Sequence, residues 1–154
     1  MAVFDFSGMP EILAELRKRG EEGEAVGQAM LDAGAAAAVQ SWRKTIDRLG
    51  LVDTGALRDS IAPTDHRGSY REITAKGKDR KGVRNGQKAF VLHYGTSRIR
   101  ASYWWDTAYN EAEPLVFAAM RRVWDVYVQT GEIIATGGSG GEKKRGRKAD
   151  RMNQ

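Results

Sequence analysis

The chain has 154 residues, a formal net charge of +5 and no cysteine. That length predicts one domain with a modest core, and without cysteine neither a disulfide framework nor a thiolate metal site can form. No run approaches the roughly 18 apolar residues of a membrane span. Met1-Ala2-Val3-Phe4-Asp5-Phe6 lacks the basic start and long apolar region of a secretory signal, so a soluble protein made in a cytoplasm is expected.

Pro10-Glu11 opens a short helix to about residue 19, with proline in a favourable first-turn position and Ile12, Leu13 and Leu16 as its apolar side. Gly20 and Gly23 allow a break before a long helix over about 24–49. There Leu31, Ala35, Val39, Trp42, Ile46 and Leu49 recur at three- and four-residue steps, one buried face. Gly34 and the four alanines 35–38 present little bulk, so another backbone, including that of a second subunit, could approach closely. Helix propensity alone also explains them. Gly50 ends the helix.

Residues 60–62 and 69–75 read as strands joined by a polar turn, and 89–94, apolar and aromatic up to Gly95, as the strongest strand. Between the last two lies a glycine-containing segment read as a flexible hairpin loop. A final helical region runs from Tyr103 or Trp104 to about residue 129. Val116, Met120, Val123 and Tyr127 form one stripe there, with Phe117, Trp124 and Val128 beside it. Pro114 should kink this region or start a second helix. Gly137-Gly138-Ser139-Gly140-Gly141 is a linker, and the basic end has too little apolar content to fold alone. The fold class is therefore α+β: residues 1–136 form a single domain, with an antiparallel sheet of three or four strands packed against a long N-terminal helix and a C-terminal helix. Residues 137–154 form a tail.

Charge is segregated. Residues 76–88, with Lys76, Lys78, Arg80, Lys81, Arg84 and Lys88, contribute +5; residues 142–154, with Lys143, Lys144, Arg145, Arg147 and Lys148 among them, contribute +4; the rest carries −4. Such runs attract polyanions without sequence preference, although solvated charge runs are common. Neither run holds aromatics for base stacking, or a helix-turn-helix or zinc pattern.

Asp53-Thr54-Gly55-Ala56-Leu57-Arg58-Asp59-Ser60-Ile61, then Tyr94-Gly95-Thr96 at a strand end, then Tyr103-Trp104-Trp105 and a helix follow one another in this short chain. In that order they resemble the head–tail connector or tail-completion family of long-tailed bacteriophages, whose members carry a DTG-x-L-x-x-S-I turn, a strand ending in Y-G-T and a closing helix. The resemblance covers roughly residues 10–128 and rests on the two local motifs: Asp53, Thr54, Gly55, Leu57, Ser60 and Ile61, then Tyr94, Gly95 and Thr96. It implies a structural virion protein without catalysis or cofactor, joining or completing the head–tail interface. Such proteins usually form rings, most often sixfold, between neighbouring head-connector and tail-tube proteins, near packaged DNA and with no membrane. They reside in the virion neck after assembly in the host cytoplasm. The tail after Gly137 has no counterpart in that pattern. Gly95 is read as a backbone requirement and Thr96 as a cap that orders the next loop. Tyr103, Trp104 and Trp105 could form a partner-facing hot spot or pack in the core; consecutive aromatics cannot all point inward.

Two other functions compete. A basic accessory protein could bind nucleic acid directly through 76–88 or 142–154. Leu51-Val52-Asp53-Thr54-Gly55-Ala56 also matches the active-site loop of a retroviral-type aspartic protease, where two subunits each give one Asp and the pair shares a proton. That enzyme needs strands around the Asp. Here helical spacing precedes it and a polar helical turn follows, while 133–137 is a poor supporting strand. Asp53 reads better as a helix N-cap with Gly55 easing a bend. His66 and His93 lack a partner at metal-ligand spacing, and no Gly-x-Ser-x-Gly elbow or Gly-Lys-Ser/Thr phosphate loop is present. Glu111 and Glu113 fall on different helix faces.

Overall fold

Two long helices form the spine of the molecule. The computed structural model describes residues 2–51, 55–65 and 70–134. In order the elements are β1 (Ala2–Phe4), α1 (Pro10–Lys18), α2 (Gly20–Arg48), α3 (Ala56–Ser60), β2 (Ile61–Pro63), β3 (Arg71–Ala75), α4 (Asn85–Tyr94) and α5 (Trp104–Thr130). The fold is α+β, with a three-stranded antiparallel sheet in the order β1-β3-β2. Ala2 pairs with Ile73, and Ile61 with Ala75. Ala2, Phe4, Ile61, Ile73 and Ala75 are buried, whereas Val3 is exposed, as a strand's alternation requires. The long helix α2 packs against all three strands.

α2 and α5 run side by side in opposite directions. Trp42 meets Trp104 edge to face at 5.5 Å, Thr45 and Arg48 bond Glu111, and Glu22 and Arg19 reach the Tyr127 hydroxyl. In α5, Val116, Met120, Val123 and Tyr127 are buried as their spacing predicts, Phe117 and Trp124 are partly buried, and Val128 is exposed. Leu49 at the end of α2 is likewise exposed. The small-residue stretch of α2 is used within the chain: a Cβ on Gly34 would lie 3.0 Å from both Met120 Cγ and Val116 Cγ1. The side chains that meet it belong to the chain's own α5. α5 continues through Pro114 without a break. No helix among the described residues is long and apolar enough to cross a membrane.

Two expectations are overturned. Residues 89–94 form not a strand but the second half of α4; the sheet gains its third strand from Ala2–Phe4 instead. Asn85, Ala89 and His93 are its buried residues, a four-residue repeat that a six-residue apolar run could not distinguish from a strand. The basic segment is therefore no strand-to-strand loop but the tight connection from β3 to α4. The Asp79 carboxylate accepts the N–H groups of Lys81 and Val83 at 2.8 and 2.9 Å and pairs with Lys88 at 2.5 Å. An isolated antiparallel backbone β-bridge between Lys78 and Arg84 closes the turn.

A candidate interface at an aromatic corner

The Tyr94-Gly95-Thr96 motif ends α4 and sends the chain back across it. Gly95 has φ +75° and ψ 179°, a combination essentially restricted to glycine. A Cβ there would lie 2.6 Å from both Ala101 N and Ile99 O. Thr96 donates its N–H to Ile99 O at 2.8 Å and accepts the N–H groups of Arg98 and Ile99 on Oγ1. Both roles expected of this pair are therefore present. The returning loop caps α4: Ser102 and Tyr103 donate N–H groups to the Leu92 and His93 carbonyls, each at 3.0 Å. Those carbonyls would otherwise end the helix unpaired.

α5 starts directly above this loop. Trp104 is fully buried and donates its indole N–H to Ala89 O at 3.1 Å, fixing α5 to α4. It supports the corner from inside. Trp105, half-buried, stacks on His93 at 4.3 Å and donates its backbone N–H to His93 Nδ1. Around this pair stand Phe90, Tyr94 and Tyr103, 55%, 54% and 57% exposed. Phe90 and Tyr94 touch at 4.7 Å, and Tyr103 meets His93 edge-on at 5.6 Å. Tyr103 is the one non-glycine residue with positive φ among the described residues, at +50°. Such a conformation costs on the order of 1–2 kcal/mol, and strain of this kind collects at functional sites. Exposed Arg98, Ile99 and Arg100 flank the patch, and neither arginine has an ion-pair partner among the described residues.

The first motif lies nearby, on α3, which packs against α4. Gly55 takes φ +80° and leads into the helix. Leu57 and Ile61 are buried, and Ser60 Oγ donates to Leu57 O at 2.6 Å. Arg58 bonds Asp59 and Asp47 at 3.0 and 3.2 Å, which raises its pKa further. This half of the motif is a structural corner between α2 and β2. Asp53 and Thr54 lie outside the described residues, as do His66 and Lys143, Lys144, Arg145, Arg147 and Lys148 of the tail. On either side of Asp53, α2 ends at Arg48 and α3 begins at Ala56; Ile133 and Ile134 are in no strand.

Of the basic connection, Lys76 donates to Pro63 O at 2.7 Å and Lys88 is held by Asp79. Lys78, Arg80, Lys81 and Arg84 are exposed. The structure thus gathers the Tyr94–Thr96 turn and the aromatic residues into one surface and leaves the basic turn as a separate feature. Phe90 and His93 were missed as site residues, because a strand sets the two on opposite faces and holds Phe90 about 13 Å from Tyr94; helical steps of three and four would have grouped Phe90 with His93 and Tyr94. Comparison of the chain with protein-family models, with curated proteins and with solved structures gives no match.

Proposed function

We propose that this protein is a structural component of a tailed phage or prophage that joins or completes the head–tail interface as a ring, with a hexamer favoured. The observation that carries the reading is the aromatic corner: three aromatic side chains more than half exposed, on backbone held by Gly95, Thr96 and a strained Tyr103. Contiguous exposed aromatics flanked by arginines suit a protein partner. The Tyr94-Gly95-Thr96 motif behind the resemblance to tail-completion proteins builds this corner, although here it ends a helix and not the strand of that pattern. The partners are then other copies and the neighbouring head-connector and tail-tube proteins, in the virion neck after assembly in the host cytoplasm. The chain acts without catalysis or cofactor, and its basic turn or tail faces packaged DNA or an acidic neighbouring ring. Light scattering on a sizing column, with negative-stain imaging alone and with isolated tail tubes, tests this. Rings of defined mass are expected; a chain that neither forms rings nor binds tubes refutes it.

A direct nucleic-acid role is favoured by the four exposed cations Lys78, Arg80, Lys81 and Arg84 on one turn. If all four meet phosphates, log affinity for duplex DNA should fall with log salt at a slope of about −3.6. Binding that ignores salt removes this reading.

A further inference from the structure

The two ends of the α2–α5 spine carry complementary surfaces. At one end is the aromatic corner, with Arg98 and Arg100. At the other, where α1 turns into α2, an apolar groove of 310 Å³ is lined by Phe6, Leu13, Leu16, Gly23, Gly27 and Leu31 among others. Its floor is bare because α1 leaves no room for side chains: a Cβ on Gly23 would lie 1.9 Å from Leu16 O. Exposed Glu24 stands on the rim, and exposed Glu21 is one helical turn before it on the same side. Neither glutamate has a cationic partner among the described residues. One end thus offers aromatics with two unpaired cations, and the other an apolar groove whose α2 rim carries Glu21 and Glu24 and whose α1 rim carries the exposed Arg17.

We propose that the occupant of the groove is a second copy of this chain: the aromatic corner of one copy seats between α1 and α2 of the next, with Arg98 and Arg100 against Glu21 and Glu24. This rests on the ring reading and deepens it by naming the two faces. The twenty residue steps along α5 from Trp104 to Trp124 separate the faces by about 30 Å at helical rise. Each contact therefore leaves one free corner and one free groove, a heterologous arrangement that closes into a ring or runs on as a filament.

Two variants of exposed residues test it on the full chain: a corner variant, Phe90→Ser with Tyr94→Ser, and a groove variant, Glu21→Arg with Glu24→Arg and Gln28→Trp. Tryptophan fluorescence checks that both fold. Sedimentation equilibrium should show each variant associating with itself about 100-fold or more weakly than the wild type, as loss of a hot spot implies. An equimolar mixture should form a one-to-one dimer and nothing larger, since it holds one intact corner and one intact groove. Wild-type-like assembly of either variant, or a mixture that stays monomeric, overturns the pairing. So does a wild-type chain that remains monomeric to ~1 mM. Rings that persist in the corner variant, or tube binding by a monomeric wild type, would sink this pairing and leave the neck reading standing.

Discussion

Gly95→Ala separates two contributions that usually come mixed. The substitution adds one methyl to a residue at φ +75°, ψ 179°, which costs on the order of 1–3 kcal/mol in backbone strain. The methyl also arrives 2.6 Å from Ala101 N and Ile99 O, both backbone atoms that cannot swing aside as a side chain would. Moving the loop away breaks the Thr96 N–H to Ile99 O bond, a further loss of about 1 kcal/mol. We expect a destabilisation of about 3 kcal/mol, or a fall in Tm of about 6–12 °C for a chain this size. Gly131→Ala is the control. Gly131 ends α5 at φ +73°, and an added Cβ would meet nothing within 4 Å, so it should show only the left-handed strain of about 1–2 kcal/mol. Urea unfolding followed by tryptophan fluorescence measures both. Equal losses within about 0.5 kcal/mol would refute the account, because the Ala101 and Ile99 clash would then contribute nothing.

Gly23 and Gly27 should respond in opposite directions. A Cβ on Gly27 meets Leu16 Cδ1 and Phe6 Cζ at 3.6 and 3.7 Å, so Gly27→Ala should stabilise by about 0.5–1 kcal/mol through helix propensity, whereas Gly23→Ala drives its methyl into Leu16 O and should destabilise by about 3 kcal/mol or more; thermal melts compare them. Tyr103→Asn keeps a side chain that tolerates positive φ, so the isolated chain should hold or gain up to about 1 kcal/mol in urea while self-association falls. A loss of stability larger than that would mean that Tyr103 is a core residue. Asp79 has its pKa held below the ordinary carboxylate value, chiefly by the Lys88 hydrogen bond and then by the Val83 N–H. A depressed folded pKa gives stability that is present above the unfolded pKa and is lost as pH falls through the folded one. Urea midpoints should therefore drop between about pH 5 and pH 2 more in the wild type than in Asp79→Asn.

Much of the helical layout was legible because long periodic stretches repeat one signal many times. Leu31, Ala35, Trp42 and Ile46 occupy four turns of α2, and Val116, Met120, Val123 and Tyr127 three turns of α5; both stripes face the core. Short elements carry too few residues to average over. Ala2–Phe4 is a three-residue strand whose pairing partner lies some seventy positions away in β3, a contact that no local pattern encodes. Gly20 marks the bend between α1 and α2 through its φ of +60°, as its identity suggests, yet the groove beside it depends on how closely Leu16 approaches Gly23. The charge segregation in 76–88 was also legible, but not that Lys76 and Lys88 are spent on Pro63 O and Asp79.

The misread segment 89–94 matters most for function. As a strand, period two would place Phe90, Leu92 and Tyr94 on one face and Val91 and His93 on the other. As a helix, steps of four send Ala89 and His93 into the core and leave Phe90 and Tyr94 together in solvent. The helix also brings Phe90 and Tyr94 into contact at 4.7 Å, where four residues of strand would hold them about 13 Å apart. What makes the segment helical is its surroundings: Asn85 hooks its side-chain amide onto Lys76 O, Trp104 bonds Ala89 O, and Ser102 and Tyr103 cap the final carbonyls. Each of these partners lies outside the segment, in the basic turn before it or in the loop and helix after it. Loosening any one should dissolve the aromatic pair as well as the helix. The surface proposed to meet another copy is thus a product of the Tyr94-Gly95-Thr96 turn, which brings the caps back, rather than of the aromatic residues alone.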